Sequence, residues 1–493
     1  MRITIWRMFR GALMSASFVC LLLTSAVSAQ SSWSQAVSFG GSVNDFGYAV
    51  KPGSDGSQYF AGEFASSVQF GNTQLVSGGG QDGFLAKRDP SGTVLWAVQV
   101  GGASDDRAQS LALDGNDNVY LIGMLYDNAM FGSTDGNTRS ANGNGYTIFL
   151  AKYSRSGALA WVQTGVIGCR GCYNWGNEVA VEPTTGAVYV AALSQTDTTF
   201  SSADGRYHVV PGNGAWHMTL AKYDTDGIFY WGETDSAAPN SDGNALAVDT
   251  QGSAYVVGWF ENQTTFSSRD GHNITVSGFS PGQSDGNYPG DGYIVKYDRN
   301  GNAKWVNHFG GYVAHAHEVA VSPAGAVTIV GDIGNINYGS GGEKTTIVSS
   351  QPPGINLNLG GGHYTNPYNH DGIIATWDKA GVLKGARRIG GTGEQIGSAV
   401  AYDAGGFLWV SGTSTEVGNN QQDLYVLQYS GKTFLQKVSA VNAAQSGSGN
   451  GLFVDAAGTV HLIGSYQGIA TFGNIIVNSV GGFDIFLAEL EAN

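Results

Sequence analysis

Short apolar runs closed by Gly or Asp recur along the whole chain. One pattern reads Leu111-Ala112-Leu113-Asp114, then Val119-Tyr120-Leu121-Ile122-Gly123. It returns as Leu246-Ala247-Val248-Asp249 with Ala254-Tyr255-Val256-Val257-Gly258, and in related form over residues 179–192, 319–331, 400–412 and 452–464, with a degenerate copy over 50–62. A second pattern follows each first one: Phe84-Leu85-Ala86-Lys87-Arg88-Asp89, Phe149-Leu150-Ala151-Lys152-Tyr153, Leu220-Ala221-Lys222-Tyr223-Asp224 and Ile294-Val295-Lys296-Tyr297-Asp298, with weaker copies starting at Ile374, Tyr425 and Phe486. A Gly-bearing turn comes next, then a run often opened by Trp (Trp96, Trp161, Trp231, Trp305). The runs are short, rich in β-branched and aromatic residues, and show no helical period, which marks them as strands. Each repeat therefore supplies four strands, A to D, the content of one propeller blade.

Seven such repeats predict an all-β, seven-bladed β-propeller of four-stranded blades. The last repeat ends after Leu490 without a D strand, while the run from Trp33 to Phe39 has no repeat of its own. Pairing the two closes the ring and removes an exposed sheet edge. Residues 30–493 are then expected to form a single domain.

The repeats resemble the SBBP family of bacterial β-propeller repeats. The likeness lies in the Gly-Gly after the D strand (Gly40-Gly41, Gly101-Gly102, Gly310-Gly311, Gly390-Gly391), in the Phe-Gly of the Thr-Phe-Gly type segment (Phe70-Gly71, Phe131-Gly132, Phe472-Gly473), and in the Asp-x-Phe-Leu-Ala-Lys-Tyr-Asp phrase. It spans the whole mature chain and departs in the third repeat, which carries two cysteines, and in the sixth and seventh, which lack the Trp. The resemblance implies a secreted or cell-surface propeller and transfers no catalytic signature. The Tyr-Asp-x-x-Gly-x-x-x-Trp pattern is also similar to the tryptophan-docking repeat of quinoprotein dehydrogenases, whose eight repeats and adjacent cysteines are not found here.

The chain has 493 residues with 75 Gly, 11 Pro and a net charge of -15. Residues 1–29 read as a Sec signal peptide: Arg2, Arg7 and Arg10 precede an apolar stretch around Phe18–Leu23, and Val27-Ser28-Ala29 offers a cleavage site. Their removal leaves 21 Lys+Arg against 39 Asp+Glu, a net charge near -18. Such a surface repels nucleic acid and anionic lipid. The apolar stretch is too short to span a membrane, and no anchor motif follows it. The expected location is the periplasm or the medium, without membrane insertion, as a monomer. Cys169 and Cys172 form C-x-x-C and, in an oxidising compartment, are expected to make a local disulfide.

Candidate chemistry is sparse. Two residues before the first apolar position of each A strand stand Tyr48, Gln109, Asn177, Asn244, His317, Ser398 and Asn450, all able to hydrogen-bond. In a propeller they would ring the mouth of the central channel, either solvating it or binding a small polar ligand, sugar or ion. His315, His317 and Glu318 form His-Ala-His-Glu. Alternate residues of a strand share a face, so the two imidazoles could hold a divalent metal together, with His363 or His370 as further donors; the other reading is a bystander pair, and no cofactor is otherwise implied. Asp45, Asp105, Asp106, Glu178, Glu318 and Glu394 are candidates for a glycosidase pair. Trp175, Trp216, Trp259, Tyr288, Tyr364 and Tyr368 are expected to be exposed aromatic residues of the upper loops, able to stack on sugars or to pack loops onto blades. Asp-rich turns such as Asp224-Thr225-Asp226-Gly227 could hold calcium or cap their own backbone.

The expectation is a secreted, non-enzymatic binding or scaffold propeller that recognises extracellular carbohydrate or a surface protein through its long B–C connections and channel mouth. The alternative is a secreted enzyme acting on polysaccharide, a glycosidase or lyase, with its site at that mouth.

Overall fold

A computed structural model describes residues 32–236, 239–279, 290–310, 313–334, 346–348, 370–390, 393–415, 422–430, 433–440 and 446–491. The described residues form an all-β, seven-bladed propeller. The innermost A strands are Asp45–Pro52, Arg107–Leu113, Asn174–Val181, Ser241–Val248, Ala314–Val321, Gln395–Tyr402 and Ser446–Val454. Each begins a sheet that runs outward as an antiparallel A-B-C-D meander. The strand Ser32–Phe39 pairs antiparallel with Asp484–Glu491 and supplies the D strand of the seventh blade, closing the ring. Among the described residues no helix is long and apolar enough to cross a membrane.

The core lies between blades and is assembled from the repeat patterns. In the first four blades a Tyr on B, a Lys on C and a Trp on D stand side by side across the sheet: Tyr59–Lys87–Trp96, Tyr120–Lys152–Trp161, Tyr189–Lys222–Trp231 and Tyr255–Lys296–Trp305. The ammonium groups lie over the tyrosine rings, 4.6 Å from the centroid for Lys222 and Tyr189, a contact worth about 0.5–1 kcal/mol where partly exposed. Each Trp then docks on the C–D turn of the next blade. The indole N–H of Trp161, Trp231 and Trp305 donates to the carbonyls of Thr225, Arg299 and Lys379 at 3.2, 3.4 and 3.3 Å. The turn residue beneath must be Gly: Gly381 has φ +85°, and a Cβ there would stand 2.8 Å from Trp305. The Asp that opens the turns of blades 3, 4 and 5 caps them, as Asp224 accepts from the N–H of Asp226 and Ile228 at 2.9 and 2.8 Å.

The Gly-Gly pattern has an equally local cause. A Cβ on Gly101 would lie 2.2 Å from the carboxyl carbon of Asp82, and one on Gly40 2.2 Å from that of Asp484. The buried carboxylate opening the C strand needs that space to accept the N–H of Gly78 or Val480, at 3.0 and 2.9 Å.

The B–C connections differ from the expectation of loops elaborated over one face. In blade 2 the strands Ala129–Phe131 and Arg139–Ala141 form a hairpin that pairs with the D strand of blade 1. In blade 3 Thr198–Ser201 and Tyr207–Val210 do the same to blade 2. Thr346–Val348 of blade 5 pairs with the D strand of blade 4. The outermost strand of a blade presents unpaired N–H and C=O groups, and these added strands cover them. Much of the elaboration thus goes to the rim. The longest connection, between Gly331 and Asp371, falls mostly outside the described residues, as do Tyr288, His363, Tyr364 and Tyr368.

Candidate functional site: the channel mouth

Every A strand carries a β-bulge at the same place. Its pairing with strand B skips one residue between Gly47 and Ala49, Ala108 and Ser110, Gly176 and Glu178, Gly243 and Ala245, Ala316 and Glu318, Gly397 and Ala399, and Gly449 and Gly451. The skipped residues are Tyr48, Gln109, Asn177, Asn244, His317, Ser398 and Asn450. A bulge leaves one residue out of the ladder and re-aims its side chain. All seven line one central cavity of about 760 Å³.

Three of the seven also hold the ring together. Asn244 Nδ2 donates to the carbonyl of Ala316 at 3.0 Å, Asn450 Nδ2 to that of Gly47 at 2.8 Å, and Asn177 Nδ2 to that of Gly243 at 2.9 Å. In each case the acceptor precedes the bulge of the next blade. Asn177 also donates to Asp242 at 3.1 Å; burial pushes the Asp242 carboxyl up to about 7, against this hydrogen bond.

Below the ring many lining residues are small: Ala49, Ala399 and Gly451, then Ala112, Ala180, Ala247, Ala320 and Ala401. Among them stand Glu178, Glu318 and Lys51. Ser110 donates to Glu178 and the Val319 N–H to Glu318 at 2.8 Å. Burial raises both carboxyls; Glu178 raises Glu318 further, and Lys51 works the other way on each. The other carboxylates of the expected glycosidase set lie elsewhere. Asp45 and Asp106 are fully buried and accept backbone N–H groups, from Gly41 at 2.7 Å and Ala65 at 3.1 Å, and from Gly102 at 2.7 Å and Tyr126 at 3.0 Å. Burial lifts both to about 7. They fasten strand ends. Asp105 accepts the Gln81 N–H at 3.0 Å, and Glu394 belongs with the histidines of blade 5.

Above the ring, two residues earlier on each A strand, stand Phe46, Arg107, Trp175, Asp242, His315, Ile396 and Ser448. Trp175 joins an aromatic group: its ring centroid is 5.6 Å from that of Tyr173, which is 5.5 Å from Trp216 and 5.3 Å from Tyr146. Tyr173 is partly exposed. The Cys169–Cys172 disulfide fixes the turn that leads into this group. Trp259 is buried edge-on to His315, centroids 5.6 Å apart.

Blade 5 gathers the imidazoles. Asp332, almost completely buried at the end of strand B, has one carboxylate oxygen bonded to His317 Nε2 and 3.4 Å from His315 Nδ1. Its other oxygen meets His370 Nδ1 at 2.5 Å. Burial opposes ionisation of Asp332, and hydrogen bonds from the three histidines outweigh it, holding the carboxyl well below its usual range. Asp332 was not among the residues expected from the sequence. The signal available is slight, one acid directly after the Gly331 that closes the apolar run of a B strand.

No protein-family model matches the chain. An uncharacterized WD repeat-containing protein, L264, of Acanthamoeba polyphaga mimivirus is 22% identical over 391 residues, covering 69% of this chain and 27% of its own length. The chain thus spans about a quarter of the curated relative it matches. Among solved structures, a streptogramin B lyase covers 93% of this chain and 98% of its own at 12% identity and a TM-score of 0.41. An apocarotenoid oxygenase mutant of Synechocystis covers 94% and 95% at 10% identity and a TM-score of 0.39. Likeness at this level carries nothing about activity.

Proposed function

We propose that this protein is a secreted, non-enzymatic binding propeller of the SBBP repeat type, and that it recognises extracellular carbohydrate at the channel mouth. The observation that carries the reading is the sevenfold bulge. One irregularity, repeated in every blade, turns seven hydrogen-bonding side chains onto a single polar cavity of about 760 Å³. A hydroxyl-rich ligand matches such a lining, since Tyr48, Gln109 and Ser398 can donate and accept. The group of Tyr173, Trp175 and Trp216 beside Asn177 offers faces on which a sugar ring stacks. The acidic surface disfavours polyanions.

The test is retention of the purified chain on an array of neutral and acidic polysaccharides. The expected result is retention of neutral glycans without release of shorter products, weakened at least tenfold by Tyr173→Ala. No retention of any glycan would reject the carbohydrate reading and leave a surface protein as the partner.

A second reading is favoured by one observation. Glu178 and Glu318 share the cavity, and both carboxyls are raised, as a general acid requires. Release of new reducing ends or unsaturated products, abolished by Glu318→Gln, would make the protein a polysaccharide-acting enzyme.

A further inference from the structure

Blade 5 departs from its six siblings at three positions that meet in space. Where it has Asp332 on strand B, the other blades have Glu63, Met124, Leu193, Trp259, Thr413 and Ser465. Where it has His315 and His317, none of the others has an imidazole. The fold does not ask for these residues, because six blades close without them. His370, just before the C strand Asp371–Trp377, approaches from the far side of the same carboxylate.

From this convergence we infer that His315, His317 and Asp332 form a binding site for one divalent transition-metal ion of the zinc class, with His370 as a positioning residue. The bulge makes the site. His315 is paired with Asp332 across the ladder, and the extra residue at the bulge swings His317 toward the same oxygen. One donor atom from each of the three residues lies within 4.8 Å of the other two. Two donors bound to one zinc at about 2.0–2.1 Å and a tetrahedral angle stand about 3.3 Å apart; His315 Nδ1 and Asp332 Oδ1 are 3.4 Å apart, while His317 Nε2, hydrogen-bonded directly to that oxygen, draws back to admit an ion.

The donor types select the ion. Two imidazoles and one carboxylate suit zinc and its neighbours, whereas calcium and magnesium take oxygen ligands. His370 engages the second carboxylate oxygen and leaves the first to the metal, as a partner that orients a ligand does. Exposure fits the same arrangement. The Asp332 side chain is 2% exposed and those of His315 and His317 are 23% and 33% exposed. The carboxylate is therefore the floor and the imidazoles the open side, at the cavity that His317 lines. Three protein ligands leave a fourth position for water or for a hydroxyl of a bound molecule. The inference does not rest on the carbohydrate reading, because the ion is held by the protein alone.

The experiment titrates the full chain, stripped with a chelator and free of sugar, with zinc chloride in a calorimeter, and with calcium chloride as a control. The expected result is one zinc per chain with a dissociation constant below micromolar, and no heat from calcium. The double substitution His315→Gln/His317→Gln abolishes the zinc isotherm, while His370→Gln weakens it by about 10–100-fold, the effect typical of an orienting partner. If the double variant does not fold, cobalt(II) added to the unaltered chain reads the same site through its visible ligand-field bands. No stoichiometric zinc binding, an isotherm unchanged in a folded double variant, or octahedral cobalt bands from exposed residues alone would each overturn the assignment.

Discussion

Blades 1 and 5 share one backbone plan and solve its two ends with different chemistry. At the upper end of strand B, Glu63 and Asp332 occupy equivalent positions, both buried. Glu63 is closed by Arg107 of the next blade, whose Nε lies 2.6 Å away, and by the Tyr48 hydroxyl at 2.7 Å, with the guanidinium 5.2 Å from the Tyr48 ring centroid. Asp332 is closed by three imidazoles. Arginine is charged at every accessible pH and ligates no metal, whereas histidine titrates near neutrality and does. At the lower end, blade 1 locks to its neighbour through Tyr59, Lys87 and Trp96, while the equivalent row in blade 5 is Thr328, Thr376 and Gly385. Where the indole would stand, a cavity of about 1060 Å³ opens between blades 5 and 6, lined by Gly385, Leu383, Ile374, Tyr402 and Tyr429 among others. Blade 5 thus carries titratable, metal-ligating groups where blade 1 carries a fixed ion pair.

The largest effect is expected where the lock is broken. Trp305 is 5% exposed and fills the seam between blades 4 and 5. Trp305→Ala should cost about 3–5 kcal/mol, the range for removing a buried tryptophan. Urea denaturation followed by tryptophan fluorescence measures it. A loss under 1 kcal/mol would mean that the docked indole contributes little and that blade 5 is not unusual in lacking one.

Next comes the fixed pair of blade 1. Arg107→Met strands Glu63, whose side chain is 3% exposed, beside a single hydroxyl donor. The loss should be about 2 kcal/mol, below the full cost of breaking a buried pair because a third of Arg107 already faces solvent. The charge of Arg107 itself is constant from pH 5 to pH 8, since arginine does not titrate there.

The Asp332 cluster should instead vary over that range. Burial lowers the pKa of His370, and the hydrogen bond and charge of Asp332, helped by the nearby Glu394 and Asp371, raise it to a net value above 6.5. Its stabilisation is therefore complete below pH 6.5 and is lost as pH rises through the folded value. Asp332 is held below 3.8, so its contribution is present above that pH and is lost only as pH falls further. The two windows overlap between about pH 4 and 6.5. In chelator, the melting temperature of the wild type should exceed that of His370→Gln by a few degrees at pH 5.5, and the gap should be smaller at pH 8. A gap of the same size at both pH values would mean that His370 is neutral throughout.

Much of this architecture was legible because it is repeated. The A–D phrases, the orphan strand from Trp33 and the polar ring of Tyr48 to Asn450 can each be read by aligning copies. The bulge itself leaves a trace in the sequence: a Gly or Ala precedes the polar residue in all seven A strands. At Gly47 the reason is contact, since a Cβ would stand 2.6 Å from Ile463 of the adjoining blade. Asp332 was not legible, because its meaning comes from His315 and His317 across the sheet and His370 beyond a long connection. The rim hairpins were hidden for a similar reason. Their strands are three or four residues long in blades 2 and 3 and pair with a different blade, so nothing local distinguishes them from loops.

The smallest expected effect restores the lock that blade 5 lacks. Gly385 stands in the register of Trp96 and Trp305, opposite Thr376 as those residues stand opposite Lys87 and Lys296. Gly385→Trp places an indole over the cavity bounded by Tyr402, Leu408 and Tyr429. Filling apolar space commonly adds about 0.5–2 kcal/mol, and relieving a strand of glycine removes a further entropic cost of folding. No cross-strand lysine is present to complete the row, so the gain should fall near 1 kcal/mol, read as a higher urea midpoint at unchanged slope. The His315–His317–Asp332 group lies at the other end of the same strands, so zinc affinity should not change. A variant that is stabilised and still binds zinc would separate the two ends of blade 5. A variant that is destabilised would mean that the cavity is shaped by its Gly385 backbone, and that the fifth seam is built on a different packing from the first four.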